Sequence, residues 1–170
     1  MVTAEGRRRC DVGILGERVA ALGSDLRGRR SIDAHGRWVT PGGVDPHVHL
    51  SCPDEDPNEP GWVDDFTSGS HAAFAGGVTT LGNMTFVVPG ETAVSRLEKD
   101  EAEITARGLA DVFLHPVILS PRDALPHGLA PLIERGYTSI KLFMSMPTFD
   151  AEAVRFGALM AEAGRAGVVT

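Results

Sequence analysis

The sequence predicts an α/β fold in which the first half of an eight-stranded parallel (β/α) barrel follows a small β unit. From Pro41 onward, apolar runs alternate with segments of helical spacing, and Gly follows each helical segment. The runs are almost continuously apolar, which is typical of parallel strands covered on both faces. The chain has 170 residues, whereas a complete barrel needs about 250.

The elements follow one another in a regular order. Ahead of the barrel, 11–23 ends at Gly23 and 31–42 turns at His35-Gly36, which predicts short strands joined by turns. The predicted barrel strands are 44–50, 78–84, 112–119 and 139–144, with 168–170 beginning a fifth. The predicted helices are 64–77, 93–108, 129–136 and 150–167, with Asp64 or Asp65 and Asp150 at N-cap positions.

Composition narrows the possible partners. A net charge of −7 and a pI near 5.3 argue against a nucleic-acid partner, which requires a basic face. No window approaches the roughly 18 apolar residues of a membrane span, and the N-terminus lacks the apolar core of a signal peptide. We therefore expect a cytoplasmic protein that acts on a small neutral or polar substrate.

Two histidines mark a candidate metal site in 40-TPGGVDPHVHLS-51. On a strand, Asp45, His47 and His49 share one face, and in a barrel that face is the interior. Two imidazoles at this spacing can bind one metal ion, with Asp45 as a ligand or as a support behind the ligands. Active sites of such barrels lie at the carboxyl ends of the strands. The alternative is a histidine pair on an exposed strand without a metal.

Lys141 is the second unusual residue, because it lies between Ile140 and Leu142 in the apolar strand SIKLFM. Burial favours a neutral, nucleophilic amine, which can take up carbon dioxide as a carbamate and so bridge two divalent metals. The alternatives are a lysine that extends to solvent or one that pairs with an acid.

The motifs PGGVDPHVHL and SIKLFM resemble those of the amidohydrolase superfamily. The similarity is greatest to its hydantoinase and dihydropyrimidinase branch, with allantoinase and dihydroorotase as near relatives. PGGVDPHVHL matches the pattern PGxxDxHxH, and SIKLFM matches the segment that carries the family's carboxylated lysine. The resemblance implies that 1–39 are part of a β-sandwich and that 40–170 are the first half of a TIM-type metal-dependent hydrolase barrel, truncated at the fifth strand.

The resemblance also implies a ligand set and a reaction. His47 and His49 would bind the more buried of two divalent ions, with zinc favoured, and Lys141 as its carbamate would bridge both. The substrate would be a small cyclic amide whose ring C–N bond is hydrolysed. The full-length form would be a homo-oligomer. Two further histidines and a proton-shuttling aspartate of the family are expected beyond Thr170.

One position departs from the family. Five residues after Lys141, hydantoinases carry a tyrosine that hydrogen-bonds the substrate, whereas this chain has Met146, which has no donor. Met146 could instead form an apolar wall of the pocket, and Trp62 could shape its mouth. A dihydroorotase or allantoinase-type ring hydrolase is therefore an alternative. A catalytically inactive truncated product or partner subunit is another.

The remaining histidines are not predicted to be ligands. His115 lies inside an apolar strand, where a packed, hydrogen-bonded core histidine is expected, and the alternative is a ring that faces the barrel interior near the site. His35, His71 and His127 fall in a turn, a helix and a loop, where we expect structural or solvent-facing side chains.

Overall fold

The computed structural model describes residues 1–50, 62–88 and 90–170. The chain divides into two compact units, Met1–Gly42 and Gly43–Thr170. The first unit contains two antiparallel strand pairs, β1 (Val2–Thr3) with β2 (Gly6–Arg7), and β3 (Asp11–Leu15) with β4 (Arg18–Gly23). The turn between β3 and β4 contains Gly16 at φ 60°, a conformation that glycine adopts without steric cost.

The second unit is built on a parallel sheet with strand order β5-β6-β7-β8. Its strands are β5 (Gly43–Val48), β6 (Val78–Phe86), β7 (Asp111–Ile118) and β8 (Lys141–Leu142). Its helices are α1 (Phe66–Ala75), α2 (Ala93–Arg107), α3 (Pro121–Ala124), α4 (Ala130–Glu134), α5 (Pro147–Ala151) and α6 (Ala153–Ala166). Consecutive strands pair in parallel through helical connections, so the predicted α/β half-barrel is confirmed.

The start of a fifth strand also lies where the sequence predicts it. Val169 forms a parallel bridge with Ser139. The N–H of Ile140 donates to the Val169 carbonyl and the N–H of Val169 donates to the Thr138 carbonyl, both at 2.9 Å. The fourth predicted strand is shorter in the structure, because only Lys141 and Leu142 form its regular ladder.

Helix starts agree with the prediction at one of two aspartates. Asp65 is the N-cap of α1, and its side chain accepts from the N–H groups of Thr67 and Ser68. The prediction of Asp150 as an N-cap is wrong. Asp150 lies within α5, because Pro147 at the first helical turn has a φ suited to helix initiation and starts a short helix earlier.

The sheet has two chemically different faces. The outer face packs against the helices and includes the buried side chains of Leu81, Leu114 and Ile140. Leu50, beyond the end of β5, also lies in this core, whereas Val44 on the edge strand is 61% exposed. The opposite face carries His47, His49 and Phe86, so β5 and β6 direct their functional side chains away from the helices. Within the described residues, no helix has both the length and the apolarity that crossing a bilayer requires.

Candidate metal centre

The two histidines of PHVH lie side by side at the end of β5. Their Nε2 atoms are 3.3 Å apart. The rings are nearly parallel, with an interplanar angle of 11° and centroids 5.4 Å apart. The strand therefore directs both imidazoles to the same side, as the i, i+2 spacing predicts.

The distance between the two nitrogens suits a shared metal ion. Two ligands at the usual Zn–N distance of about 2.0–2.1 Å and a tetrahedral angle are separated by about 3.3–3.4 Å. The His47 and His49 Nε2 atoms already have this separation. No group of three His, Cys, Asp or Glu side chains arranged to hold a metal occurs in the described part of the chain.

His49 is the more buried member of the pair. Burial lowers the pKa of its imidazole, and the nearby His47 and Lys141 lower that pKa further. A lowered pKa favours the neutral ring, which is the form that binds a metal. Its Nδ1 is buried and makes no hydrogen bond to the described residues.

Side chains rather than ladder bonds hold the end of β5. Asp45 Oδ1 accepts from the backbone N–H of His47 at 3.1 Å, so its described contact is with the backbone between the ligands. Asn83, on β6, is almost fully buried, and its Oδ1 accepts from the N–H of Leu50 at 2.9 Å. These two bonds fix the backbone on either side of His49. The role of Asp45 behind the metal ligands stays a prediction.

Lys141 lies on the same side of the sheet as the histidines. It pairs in register with Val117, while its neighbour Leu142 packs into the outer core. Its Nζ lies 5.2 Å from the centroid of the Phe143 ring, and its charge influences His49. Lys141 is half-buried and belongs to none of the described ion pairs. The structure thus brings together the three predicted ligands.

An aromatic wall surrounds His49. Trp62 meets the His49 ring edge-on at 4.3 Å, and Phe86 lies 5.4 Å from the same ring. Phe86 also contacts Trp62 at 5.6 Å and Phe143 at 6.1 Å. Trp62 was predicted near the site, but Phe86 was missed. Phe86 is the last residue of β6, and alternation along the strand directs its side chain away from the helices. This position could have predicted it as a site residue.

Met146 and the other histidines occupy different positions in the fold. Met146 is the N-cap residue of α5 and is 42% exposed, and its side chain takes part in none of the described hydrogen bonds or ring contacts. The segment 51–61 of the acidic loop lies outside the described residues. His35, His71 and His127 are exposed, as predicted. His115 is half-buried and hydrogen-bonded to Ser139, as expected of a packed histidine, and it also interacts with His47, in agreement with the alternative of a ring near the site.

Known proteins resemble this chain in sequence over most of its length. No protein-family model matches the chain. It is 32% identical to a D-hydantoinase from Ralstonia pickettii over 146 residues, covering 85% of this chain and 31% of that protein. It is 38% identical to a dihydroorotase from Lactobacillus johnsonii over 104 residues, covering 61% of this chain and 23% of that protein.

Solved structures agree with these sequence matches. A D-hydantoinase structure superposes with a TM-score of 0.83 at 29% identity, covering 99% of this chain and 37% of that one. The fold of this chain thus matches a part of the D-hydantoinase structure. The chain is a homologue of the D-hydantoinases, which confirms the resemblance to hydantoinase-like amidohydrolases, and it spans about a third of the length of the D-hydantoinases it matches.

Proposed function

We propose that this chain supplies the first ligands of a metal-dependent hydrolase that opens cyclic amides. The observation that carries the proposal is the pair of Nε2 atoms 3.3 Å apart with Lys141 on the same face. His47 and His49 would hold one divalent ion, with zinc favoured by two imidazoles. Lys141, as its carbamate, would bridge this ion to a second.

Each residue has a defined role in this proposal. Bound divalent ions polarise a carbonyl and make water nucleophilic at neutral pH. His47 and His49 hold neutral nitrogens toward one point, and the edge-on Trp62 limits the access of water to His49. Phe86 and Phe143 offer an apolar surface beside the ligands, which suits the face of a small ring.

The relatives favour a cyclic amide as the substrate class of this chain, whereas the type of ring depends also on Met146. D-hydantoinase relatives favour a hydantoin or dihydropyrimidine ring for this chain. Met146, where the family has a tyrosine donor, favours a ring that needs no hydrogen bond from this position. The similarity to dihydroorotase supports a dihydroorotase-type ring as the second candidate.

The carbamate offers a direct test, because the chain contains only two lysines, Lys99 and Lys141. We expect ¹³C-bicarbonate with zinc to give a Lys141 carbamate resonance in the wild-type chain, separate from any resonance of the Met1 α-amine, which also forms a carbamate. That signal should disappear in Lys141→Arg and persist in Lys99→Arg, since Lys99 pairs with Glu91 on the surface. A Lys141→Arg spectrum with the same set of carbamate resonances as the wild type would remove Lys141 from the site.

Metal binding and hydrolysis test the rest of the proposal. Equilibrium dialysis against zinc should show binding that is lost in both His47→Ala and His49→Ala and retained in His71→Ala, an exposed histidine of α1. Ring opening of hydantoin, dihydrouracil and dihydroorotate would then be compared with and without zinc. Equal zinc content in all four proteins would contradict the proposed centre.

Three finer points belong to the same proposal. Residues 1–39 would form part of a β-sandwich, and residues 40–170 would be the barrel segment. The full-length form would be a cytoplasmic homo-oligomer. Sedimentation of that form would test the oligomer, and a monomer would contradict it.

A further inference from the structure

His115 contacts two neighbouring segments on the face of the sheet that carries the metal ligands. It lies on β7, in register with Met84 of β6. Its Nδ1 is 2.5 Å from Ser139 Oγ. The ring also lies close enough to the Pro46 backbone and to the His47 ring to interact electrostatically with both. One imidazole thus contacts the residue before His47 and a residue two positions before Lys141.

The Pro46 carbonyl is available because β5 leaves its regular ladder there. Asp45 pairs with Leu81 and Val48 pairs with Asn83, so three steps along β5 correspond to two along β6. This irregularity is a bulge that contains Pro46 and His47, the segment that directs one ligand imidazole. A bulge leaves backbone groups outside the ladder, and these groups need other partners.

Because Gly82 of β6 has no side chain, the Pro46 carbonyl can lie directly over the Gly82 backbone. A Cβ at Gly82 would lie 2.6 Å from the Pro46 oxygen, 2.7 Å from the Pro46 carbonyl carbon and 2.8 Å from Phe113 Cζ. Real Cβ atoms do not approach backbone this closely. The missing side chain of Gly82 therefore lets β5 approach β7 across β6.

Ser139 provides the other end of the connection. It precedes Lys141 by two residues, so both side chains face the same side of the extended segment. Its backbone is also held by the parallel bridge to Val169. A hydrogen bond from His115 to Ser139 therefore reaches a segment whose backbone is already fixed, and Lys141 follows directly.

We propose that His115 is a positioning residue that fixes the His47 bulge relative to the Lys141 strand. A carbonyl can only accept, so Nε2–H faces the Pro46 carbonyl, and Nδ1 accepts from the Ser139 hydroxyl. The neutral ring with the proton on Nε2 satisfies both contacts. The metal-binding consequence rests on the proposed function, whereas the geometry does not.

Cobalt(II) binding tests the consequence, because its absorption spectrum reports ligand geometry. We expect His115→Phe, which keeps an aromatic ring of similar width, to weaken Co²⁺ binding by about tenfold or more and to change the spectrum. His71→Phe is the matched control on exposed α1 and should bind as the wild type does. Ser139→Ala should weaken binding less, and Ser139→Thr, which keeps the hydroxyl, should restore it. Wild-type affinity and spectrum in folded His115→Phe would overturn the proposal.

A metal-free measurement keeps the proposal testable if His115→Phe does not fold or if the wild type binds no Co²⁺. Ring ¹H–¹⁵N spectra of the metal-free chain should show His115 protonated at Nε2 with Nδ1 as acceptor. Ser139→Ala should shift both the His115 and the His47 ring signals. A His115 protonated at Nδ1, or His47 signals unmoved by Ser139→Ala, would overturn the proposal. Absence of Co²⁺ binding by the wild type would instead contradict the proposed metal centre.

Discussion

The two faces of the parallel sheet differ in how their polar side chains are paired. On the outer face, Thr85 Oγ1 donates to Asp100 Oδ2 at 2.7 Å, and Asp100 Oδ1 lies 3.1 Å from Arg96 Nη2. All three residues are buried, and burial raises the pKa of Asp100 against the opposing effects of Thr85 and Arg96. Each carboxylate oxygen therefore has a partner within the fold.

On the inner face, the Nε2 atoms of the two candidate ligand histidines hydrogen-bond to each other. His47 and His49 present adjacent nitrogens, and Lys141 lies beside the Phe143 ring, outside the described ion pairs. Groups of the first kind stabilise the fold, because removing one partner leaves the other buried without it. Groups of the second kind contribute little until a ligand binds. The comparison predicts that the outer-face variants lose stability and that the inner-face variants lose the response to metal.

The largest effect is expected from Asp100→Ala. It removes the carboxylate that pairs with a buried guanidinium and accepts from Thr85, and breaking such a pair costs about 3–5 kcal/mol. Chemical denaturation would measure the free energy of unfolding. Asp100→Asn keeps an acceptor for Thr85 and should lose less. If Asp100→Ala unfolds like the wild type, the outer cluster is not structural.

Zinc should stabilise the wild-type chain through the inner face. A ligand that binds only the folded state at 100 times its Kd adds about 2.7 kcal/mol. Thermal unfolding with zinc and after chelation would measure this difference, which should vanish in His49→Ala. The same variant also removes a ring that packs against Trp62 and Phe86, so some loss of metal-free stability is expected as well. A zinc-dependent difference that persists in His49→Ala would show that His49 does not bind the metal.

Gly82→Ala should destabilise the chain by about 1–3 kcal/mol, the usual cost of overpacking, because its Cβ would collide with the Pro46 backbone. Gly157→Ala is the matched control, since nothing lies within 4 Å of its added Cβ in α6. That substitution should stabilise the helix by about 0.5–1 kcal/mol. Denaturation curves of both variants would measure the contrast. Equal effects would mean that the strands adjust freely around Gly82.

The sequence predicts most of this fold because its signals are local. Apolar runs with following glycines indicate the four parallel strands and the main helices, and the HxH spacing predicts two rings on one face. The lysine between Ile140 and Leu142 is recognisable because a charge interrupts an apolar run. Each of these features depends on residues that are close in the chain.

Contacts between distant segments were not predictable in the same way. The partners of His115 lie on β5 and in the segment before β8, and nothing in the residues around His115 specifies them. In the sequence, Phe86 is one apolar residue among several in its strand, and only the strand register places it beside His49. Asp150 shows the opposite failure, because a plausible local N-cap signal was overridden by the proline that starts α5. Register and curvature, which come from packing, decide such cases.

The smallest effect is expected at Asp65, where a polar group has partners but lies near the surface. Its carboxylate accepts from the N–H groups of Ser68 and Thr67, and the Ser68 bond in particular lowers the pKa of Asp65. Asp65→Ala should cost about 1 kcal/mol, the usual value of an N-cap.

The contribution of Asp65 should also depend on pH. Because the pKa of Asp65 is lower in the folded chain, the ionised carboxylate stabilises the fold at pH values above the usual Asp pKa, and this contribution disappears as the pH falls through the lowered pKa. Asp65→Asn is an uncharged cap of similar quality, so the wild-type advantage over it should shrink on acidification in denaturation curves. A constant difference would mean that the hydrogen bonds, and not the charge, account for the contribution of Asp65.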